Sequence, residues 1–387
     1  MNQLPTHITI GIIGGGQLGK MLIEANLAWN IRYHVLSDDE DCPAAHLAHK
    51  IIVGSLLDEE KIRQLAAEVD ILTYEIEHVH APVLLALEKE GKEVVPSPAA
   101  LQIIQNKHLQ KNFYVEHHIA TLPYAFIAEK SDWEDGIAKI DGDMLVIKSS
   151  TGGYDGKGVT ICKRQEIIDK KYPFKTACIV EQYLPNAKEI AIMVACDRLG
   201  NTKLFPAVEM FFNPHSNLVE FLFSPTNFSK EIITKAENIA IQVATAFNSP
   251  GLFAVELFID TQNNIWVNET APRPHNSAHH SIEACYTSQF EQLNRILLGL
   301  PLGATDLIKH GAMINLTGPL NFEGPYQLLN IEKILAVSNV YVHLYNKAIS
   351  KPNRKLGHIT LLANNMDELI AKAELIKSYI KITSRNE

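Results

Sequence analysis

A chain of 387 residues with 46% hydrophobic content and a formal charge of -9 is long enough for two or three domains with large cores. The acidic balance argues against duplex nucleic acid or a membrane surface as partner, because both call for a basic footprint; it leaves room for a local cationic pocket. The five cysteines (Cys42, Cys162, Cys178, Cys196 and Cys285) are scattered without a CxxC pair, and no apolar run approaches the roughly 18 residues that cross a bilayer. They read as small buried side chains in a reducing, cytoplasmic compartment, with no structural zinc site.

The N-terminal segment lacks a basic stretch and reads as a first strand, HITIGII at 7–13, not as a signal peptide. GGGQLG at 14–19 breaks it, and KMLIEANLAW follows with helical spacing. RYHVLS is a second strand and Asp38–Asp41 an acidic turn. IIVGS, a helix over 58–68, the apolar strand DILTYEI at 70–76 and EVVPS at 93–97 complete the unit. Strands alternating with helices predict a parallel α/β sheet over about residues 1–100. Residues 100–118 read as one helix, ending at His117–His118.

The middle of the chain changes character. LVIKSS at 145–150, VTIC, TACIVEQYL at 176–184 and KEIAIMVACD at 188–197 are strands, and KLFPAVEMFF pairs with the ends of a sheet. Their hairpin spacing predicts mixed or antiparallel pairing. A long amphipathic helix covers 230–247, a hairpin covers 253–260 and 265–271, and a further helix is expected over 281–299. Short strands from about 310 and a helix near 366–380 close the chain. The fold class is therefore α/β and α+β.

The hairpin carries the strongest chemistry. With TQNN as a four-residue turn and Asp260 paired with Ile265, register sets Glu256 opposite Glu269. Two carboxylates facing each other between apolar residues repel and are costly to desolvate, which a hard divalent cation resolves; Mg2+ with phosphate oxygens fits. The alternative is a ladder of two solvated glutamates. Asn268 is expected to face away unless the strand end twists it back. Beyond Glu269, two prolines stiffen the chain around Arg273.

Lys148 ends an apolar strand before STGGYDGKG, where it can sit over phosphate oxygens while glycine backbone amides converge on an anion. The loop lacks the Lys-Ser/Thr of a Walker A sequence and reads equally as a plain hairpin turn. Lys107 is a second phosphate candidate or a solvated helical lysine. Glu181 and Gln182 end a strand that can offer backbone groups to a purine edge, and Glu189 can accept from ribose hydroxyls; as isolated glutamates both read as surface residues.

Together GIIGGGQLGKM, TYEIEHV, PSPAALQIIQNK, STGGYDGKGV, VEQYL, NPH, FAVELF, NETAPRPHNSAHHSIEACYTSQFEQ and KPNRKLGHI resemble the N5-carboxyaminoimidazole ribonucleotide synthase family, over nearly the whole chain. GGGQLG alone would more often suggest a dinucleotide fold. The resemblance implies an ATP-grasp fold with an N-terminal Rossmann-like domain at 1–106, an ATP-grasp domain at 107–305 with a mobile lid at about 118–184, and a small C-terminal domain at 306–387. It implies ATP and Mg2+ (two ions, with Mn2+ a substitute) as cofactors, a homodimer, and 5-aminoimidazole ribonucleotide and bicarbonate as substrates. The product would pass to a separate mutase.

Residue by residue, the resemblance assigns Lys107 and Lys148 to ATP phosphates and Gly153, Tyr154, Asp155, Gly156, Lys157 and Gly158 to the covering loop. Glu181, Gln182, Tyr183 and Leu184 match the adenine hinge, Glu189 the ribose, and His215 a nucleotide-adjacent histidine. Glu256 and Glu269 match the metal ligands, with Asn268 beside them. Gln17, Leu18 and Glu75, with Tyr154, Asp155 and Lys157 from the loop, would shape the ribonucleotide pocket at the carboxyl ends of parallel strands. Arg273, His275 and Asn276 match residues near the amine and bicarbonate. Lys347, Arg354 and Lys355 match the ribonucleotide phosphate contacts. Asp155 and His275 both remain open as acceptor of the amine proton. Lys20 departs from the family's usual arginine and Ala278 from its usual glycine.

Competing readings are a formate-using ligase acting on a purine precursor, an NAD-dependent oxidoreductase and a non-catalytic binding protein. The middle hairpins and paired glutamates oppose the second. The density of costly polar groups opposes the third.

Overall fold

A computed structural model describes residues 7–153, 158–212 and 218–385. The first unit is a five-stranded parallel sheet in the order β3-β2-β1-β4-β5, built from β1 (Thr9–Ile13), β2 (Arg32–Ser37), β3 (Lys50–Val53), β4 (Ile71–Tyr74) and β5 (Glu93–Val94). Its helices are α1 (Gln17–Glu24), α2 (Glu59–Ala67) and α3 (Ala81–Lys89). Crossover helices bury both sheet faces, so β1 and β4 are almost wholly apolar and buried. Gly14 turns from β1 into α1 at φ +106°, a conformation that L side chains rarely adopt.

The predicted helix over 100–118 is two helices, α4 (Pro98–Ile104) and α5 (Lys107–Glu116). Asn106 separates them in an extended conformation, and its side-chain oxygen accepts from the His108 and Leu109 amides. That N-cap stabilises a new helix start more than the continuous helix could. It also places Lys107 in the first turn.

A four-stranded sheet in the order β6-β9-β7-β8 follows: β6 (Tyr124–Ile127), β7 (Met144–Ser149), β8 (Val159–Lys163) and β9 (Cys178–Gln182). With α6 (Trp133–Ala138) and α7 (Arg164–Ile168) it encloses its own hydrophobic core, including Trp133, Ile147, Ile167 and Val180.

The largest sheet of the described residues runs β15-β14-β10-β12-β13-β16-β20-β18, with β11 added beside β10. Its strands are β10 (Lys188–Cys196), β11 (Thr202–Leu204), β12 (Val208–Phe212), β13 (Val219–Ser224), β14 (Gly251–Ile259), β15 (Ile265–Ala271), β16 (His310–Thr317), β18 (Val340–Leu344) and β20 (Lys355–Ala363). The C-terminal strands thus continue the central sheet through the β13–β16 pair. A small sheet of β17 (Gly324–Leu329), β19 (Ile349–Ser350) and β21 (Lys381–Ser384) lies beyond it.

Helix α8 (Lys230–Ala246) buries Ala236, Ala240, Val243 and Ala244 in the core that also holds Ile192 and Phe253. Phe113 of α5 stacks on Phe247 at 4.3 Å between ring centroids, and Phe247 stacks on Phe253 of β14 at 5.3 Å. Each such buried ring contributes about 1.5–3 kcal/mol. The stack fixes α5 against the hairpin that carries the paired glutamates.

The helix expected over 281–299 is likewise divided, into α9 (Ser281–Ala284) and α10 (Gln289–Leu297). Cys285 is extended, and the Ser288 hydroxyl caps α10 by accepting from the Glu291 amide. Helix α11 (Ile331–Leu335) follows, and helix α12 (Met366–Tyr379) packs on β16 and β20. No helix among the described residues is long and apolar enough to cross a membrane.

Candidate active site

The β14–β15 hairpin is built as its residues require, with one correction. Ile265 pairs with Ile259, not with Asp260, so the register near the turn is one residue off the expected one. The Asp260 carboxylate caps the turn instead, accepting from the Gln262 and Asn264 amides. A bulge then opposes Leu257 to Val267 and Glu256 to Glu269, leaving Asn268 as the extra residue. The glutamates therefore face each other as expected. The same bulge turns Asn268 inward, so that its Oδ1 accepts from Lys148 Nζ at 2.7 Å.

Three lysines converge on this end of the hairpin. Lys107 Nζ lies 2.6 Å from Glu269. Lys148, on β7, lies 2.7 Å from Glu181, and Lys111, one turn after Lys107, lies 2.6 Å from the other oxygen of Glu181. Glu181 is fully buried, not a surface residue, and its carboxylate organises lysines. Only its backbone and those of Gln182, Tyr183 and Leu184 are left to serve a purine edge. Lys111 escaped sequence reasoning; its i,i+4 relation to Lys107 on α5 was the available signal.

Electrostatics follow from this arrangement. Burial and the facing Glu269 and Glu189 raise the Glu256 carboxyl, whereas Lys107 holds Glu269 below the usual carboxylate range despite burial. Burial pushes Glu189 up to about 7. Burial would raise Glu181, but Lys111 and Lys148 outweigh it and hold the carboxyl down to about 2. Among the described residues no three His, Cys, Asp or Glu side chains gather as a ready cation cage. The protein offers two opposed carboxylates and an amide oxygen. That is an incomplete, all-oxygen donor set of the kind that suits Mg2+ completed by phosphate and water.

The glycine-rich loop is anchored at both ends. Lys107 N donates to Ser150 O at 2.8 Å, and Ser150 Oγ donates to Asn106. Ser149 N donates to Gly158 O, and Gly158 has φ +76° with Gly153 close by. The expected contributors Tyr154, Asp155, Gly156 and Lys157 lie outside the described residues, as does His215.

At the end of β4, Glu75 is buried and its two oxygens accept from the Gly16 and Gly19 amides at 2.6 and 2.9 Å. A carboxylate therefore occupies the amino end of α1, where a dinucleotide phosphate would otherwise sit. This disposes of the NAD reading of GGGQLG. Burial raises the Glu75 carboxyl, and Arg273 and Lys347 both lie near enough to oppose that rise. Three distant segments thus meet here. Leu18 is buried in the core and leaves only backbone to a ligand, while Gln17 is half-buried at the helix start. Glu75→Gln should strand one of the two glycine amides and destabilise the fold by about 1–3 kcal/mol. Urea unfolding checks this, and an unchanged midpoint contradicts it.

Arg273 Nε lies 2.9 Å from Glu77, a residue whose role went unnoticed within TYEIEHV. His275 Nε2 lies 3.7 Å from Glu256, and its Nδ1 meets Ser277 Oγ at 2.9 Å. Asn276 turns its carboxamide toward Asn315 in a reciprocal pair at 2.9 Å, so its side chain supports the loop before it serves any substrate. Lys347 Nζ donates to Lys355 O at 2.9 Å and Arg354 donates to Ile349 O, gathering the basic segment into one turn. Lys20 donates to Leu344 O and pairs with the Glu24 carboxylate.

Known proteins resemble the chain along most of its length. Residues 7–105 match a ribonucleotide synthetase preATP-grasp domain, 112–290 an ATP-grasp domain, and 311–372 a phosphoribosylaminoimidazole carboxylase C-terminal domain. An N5-carboxyaminoimidazole ribonucleotide synthase of Staphylococcus epidermidis is 35% identical, with 95% of this chain and 96% of that protein covered. The phosphoribosylaminoimidazole carboxylase of Saccharomyces cerevisiae is 34% identical over 93% of this chain but only 64% of its own length; the Vigna aconitifolia counterpart is covered over 65%. Among solved structures, the N5-carboxyaminoimidazole ribonucleotide synthetase of Thermotoga maritima superposes with a TM-score of 0.88 at 34% identity, covering 98% of this chain and all of that one. An Aspergillus clavatus enzyme in complex with ADP and 5-aminoimidazole ribonucleotide gives 0.86 at 28% identity, covering 97% of this chain and 98% of that one.

Proposed function

The chain belongs to the N5-carboxyaminoimidazole ribonucleotide synthase family of ATP-grasp ligases, and from that premise we propose how its own residues divide the work of ATP-dependent carboxylation of 5-aminoimidazole ribonucleotide. The observation that carries the reading is the meeting of the Glu256–Glu269 hairpin with Lys107 and Lys148 on one side and the Arg273–His275 loop on the other.

Bicarbonate is a poor electrophile because its carbon is electron-rich and hydroxide leaves reluctantly. Attack of a bicarbonate oxygen on the terminal phosphorus of ATP breaks the bond to ADP and gives carboxyphosphate. The exocyclic amine then forms the new nitrogen–carbon bond, phosphate departs, and the amine loses a proton. Lys107 and Lys148 offset negative charge on the transferring phosphoryl group. Glu256 and Glu269, with Asn268 beside them, would hold Mg2+, which would neutralise charge on the phosphate oxygens. Glu189 accepts from ribose, and the strand end Glu181–Leu184 offers its backbone to adenine.

Arg273, aimed by Glu77, grips bicarbonate by a two-pronged contact. His275, whose Nε2 lies 3.7 Å from Glu256, takes the role of proton acceptor; the rival acceptor is Asp155. The Lys347–Lys355 turn binds the ribonucleotide phosphate, and Glu75 with Gln17 borders its pocket. Residues 118–184 form the lid over the reacting end, a role supported by their separate core, and lid closure keeps water from carboxyphosphate. The protein works as a homodimer in the cytoplasm and hands its product to a separate mutase; five buried free thiols support the reducing compartment.

With ATP, Mg2+ and labelled bicarbonate, ADP release should rise on addition of 5-aminoimidazole ribonucleotide, and the product should keep the label. Release that depends on formate, or a product without label, would overturn the assignment.

A further inference from the structure

Gln289, the first residue of α10, is completely buried, yet every polar group of its side chain is engaged. Its Oε1 accepts from the His275 amide at 2.8 Å, and its Nε2 donates to the His275 carbonyl at 2.9 Å. The carboxamide thus grips the backbone of His275 as a neighbouring strand would. Because Oε1 must accept from that amide, the orientation of the carboxamide is fixed. Nε2 therefore also faces His279 Nδ1, 3.0 Å away, and that nitrogen is an acceptor.

His279 leads onward. Its ring lies 4.9 Å from that of His358, whose Nδ1 meets Tyr345 Oη at 2.8 Å and which also stacks on His343 at 4.4 Å. Tyr345 lies beneath Lys347, and Lys355 stands three residues before His358 on β20. His343 is in turn held by Glu283 at 2.7 Å. Burial keeps His279 and His358 well below the ordinary imidazole range, which agrees with an acceptor nitrogen on His279. One buried carboxamide therefore touches both the loop of His275 and the ring stack on which the basic turn rests.

Building on the roles proposed for His275 and the Lys347–Lys355 turn, we propose that Gln289 is a positioning residue that sets His275 at the reacting amine and holds it in register with the ribonucleotide phosphate seat. It touches no substrate. A misplacement of about 1 Å in such a loop costs on the order of a hundredfold in rate.

The test is Gln289→Met, which fills the space without polar groups, assayed with the full chain. Expected are a fall in carboxylation kcat of at least about tenfold and a raised KM for 5-aminoimidazole ribonucleotide, with KM for ATP within about twofold. A second variant, Gln289→Glu, keeps the acceptor and loses the donor. Its activity relative to the parent should climb as pH falls, because a protonated carboxyl regains one of the two lost donations. Equal losses in the ATP and ribonucleotide parameters, or unchanged parameters in a folded protein, overturn the proposal. So does loss of ADP binding together with the fold in both variants, which would mark Gln289 as core support alone. His275→Ala separates the premises: if that variant carboxylates normally, the role given to His275 fails; if it is impaired while Gln289→Met is normal, only the positioning inference fails.

Discussion

Replacing Glu269 with alanine should lower kcat/KM for ATP by roughly 10²–10³-fold, the range expected when one aimed stabiliser of phosphoryl charge is removed. Two losses combine. The proposed Mg2+ site would keep only Glu256 as carboxylate, and Lys107 would lose the partner now 2.6 Å away. The observables separate them. A weakened cation site raises the Mg2+ concentration needed for half-maximal rate, and Glu269→Asp should recover part of the loss because a carboxylate remains. Lys107→Met, by contrast, should raise KM for ATP while leaving the Mg2+ dependence near that of the parent. An alanine variant with unchanged Mg2+ dependence would show that Glu269 serves only as the lysine's counter-ion.

The paired glutamates were legible because strand alternation and a short turn constrain register within a residue. The bulge that rescues their opposition was not. Nothing in IWVNETA marks Asn268 as an extra residue; the strand bends because Asp260 closes the turn one position early and Lys148 rewards an inward Asn268. The two broken helices failed for a similar reason. Apolar spacing runs smoothly through 100–118 and 281–299, while the deciding caps at Asn106 and Ser288 are single polar residues. Glu75, Glu77, Lys111 and Gln289 share another limit. Each acts on a partner more than 10 residues distant, and a lone sequence carries no record of such pairs. The parallel sheet, the β7–β8 hairpin and the basic C-terminal turn were readable because each is local pattern. Their convergence at one sheet end was reachable only through the family resemblance.

Glu181→Gln should be the most destabilising change at the site, by about 3–5 kcal/mol, the usual cost of breaking a buried ion pair from one side. The substitution leaves Lys111 and Lys148 buried close together, with a neutral amide between them. Thr121 Oγ1, 2.6 Å from Lys111, and Asn268 cannot neutralise two ammonium groups. The pH dependence gives an independent measure. Glu181 in the folded chain titrates at about 2, below its ordinary 4.5, since Lys111 and Lys148 overcome the rise that burial alone would cause. A depressed carboxyl pKa stabilises the fold fully above pH 4.5, and that contribution drains away as pH falls toward 2. That contribution amounts to about 3 kcal/mol. Burial pushes Lys111 down to about 8, so its charge costs stability at neutral pH and relief comes as pH rises from 8 toward 10.5. The parent should therefore lose stability between pH 4.5 and 2 more steeply than Glu181→Gln. Adding Lys111→Met to the Glu181→Gln variant should recover part of the loss by removing one stranded charge. KM for ATP should stay raised in the double variant, because Lys148 still lacks the carboxylate that aims it. If the single and double variants are equally stable, Glu181 supports the strand end through something other than its lysines.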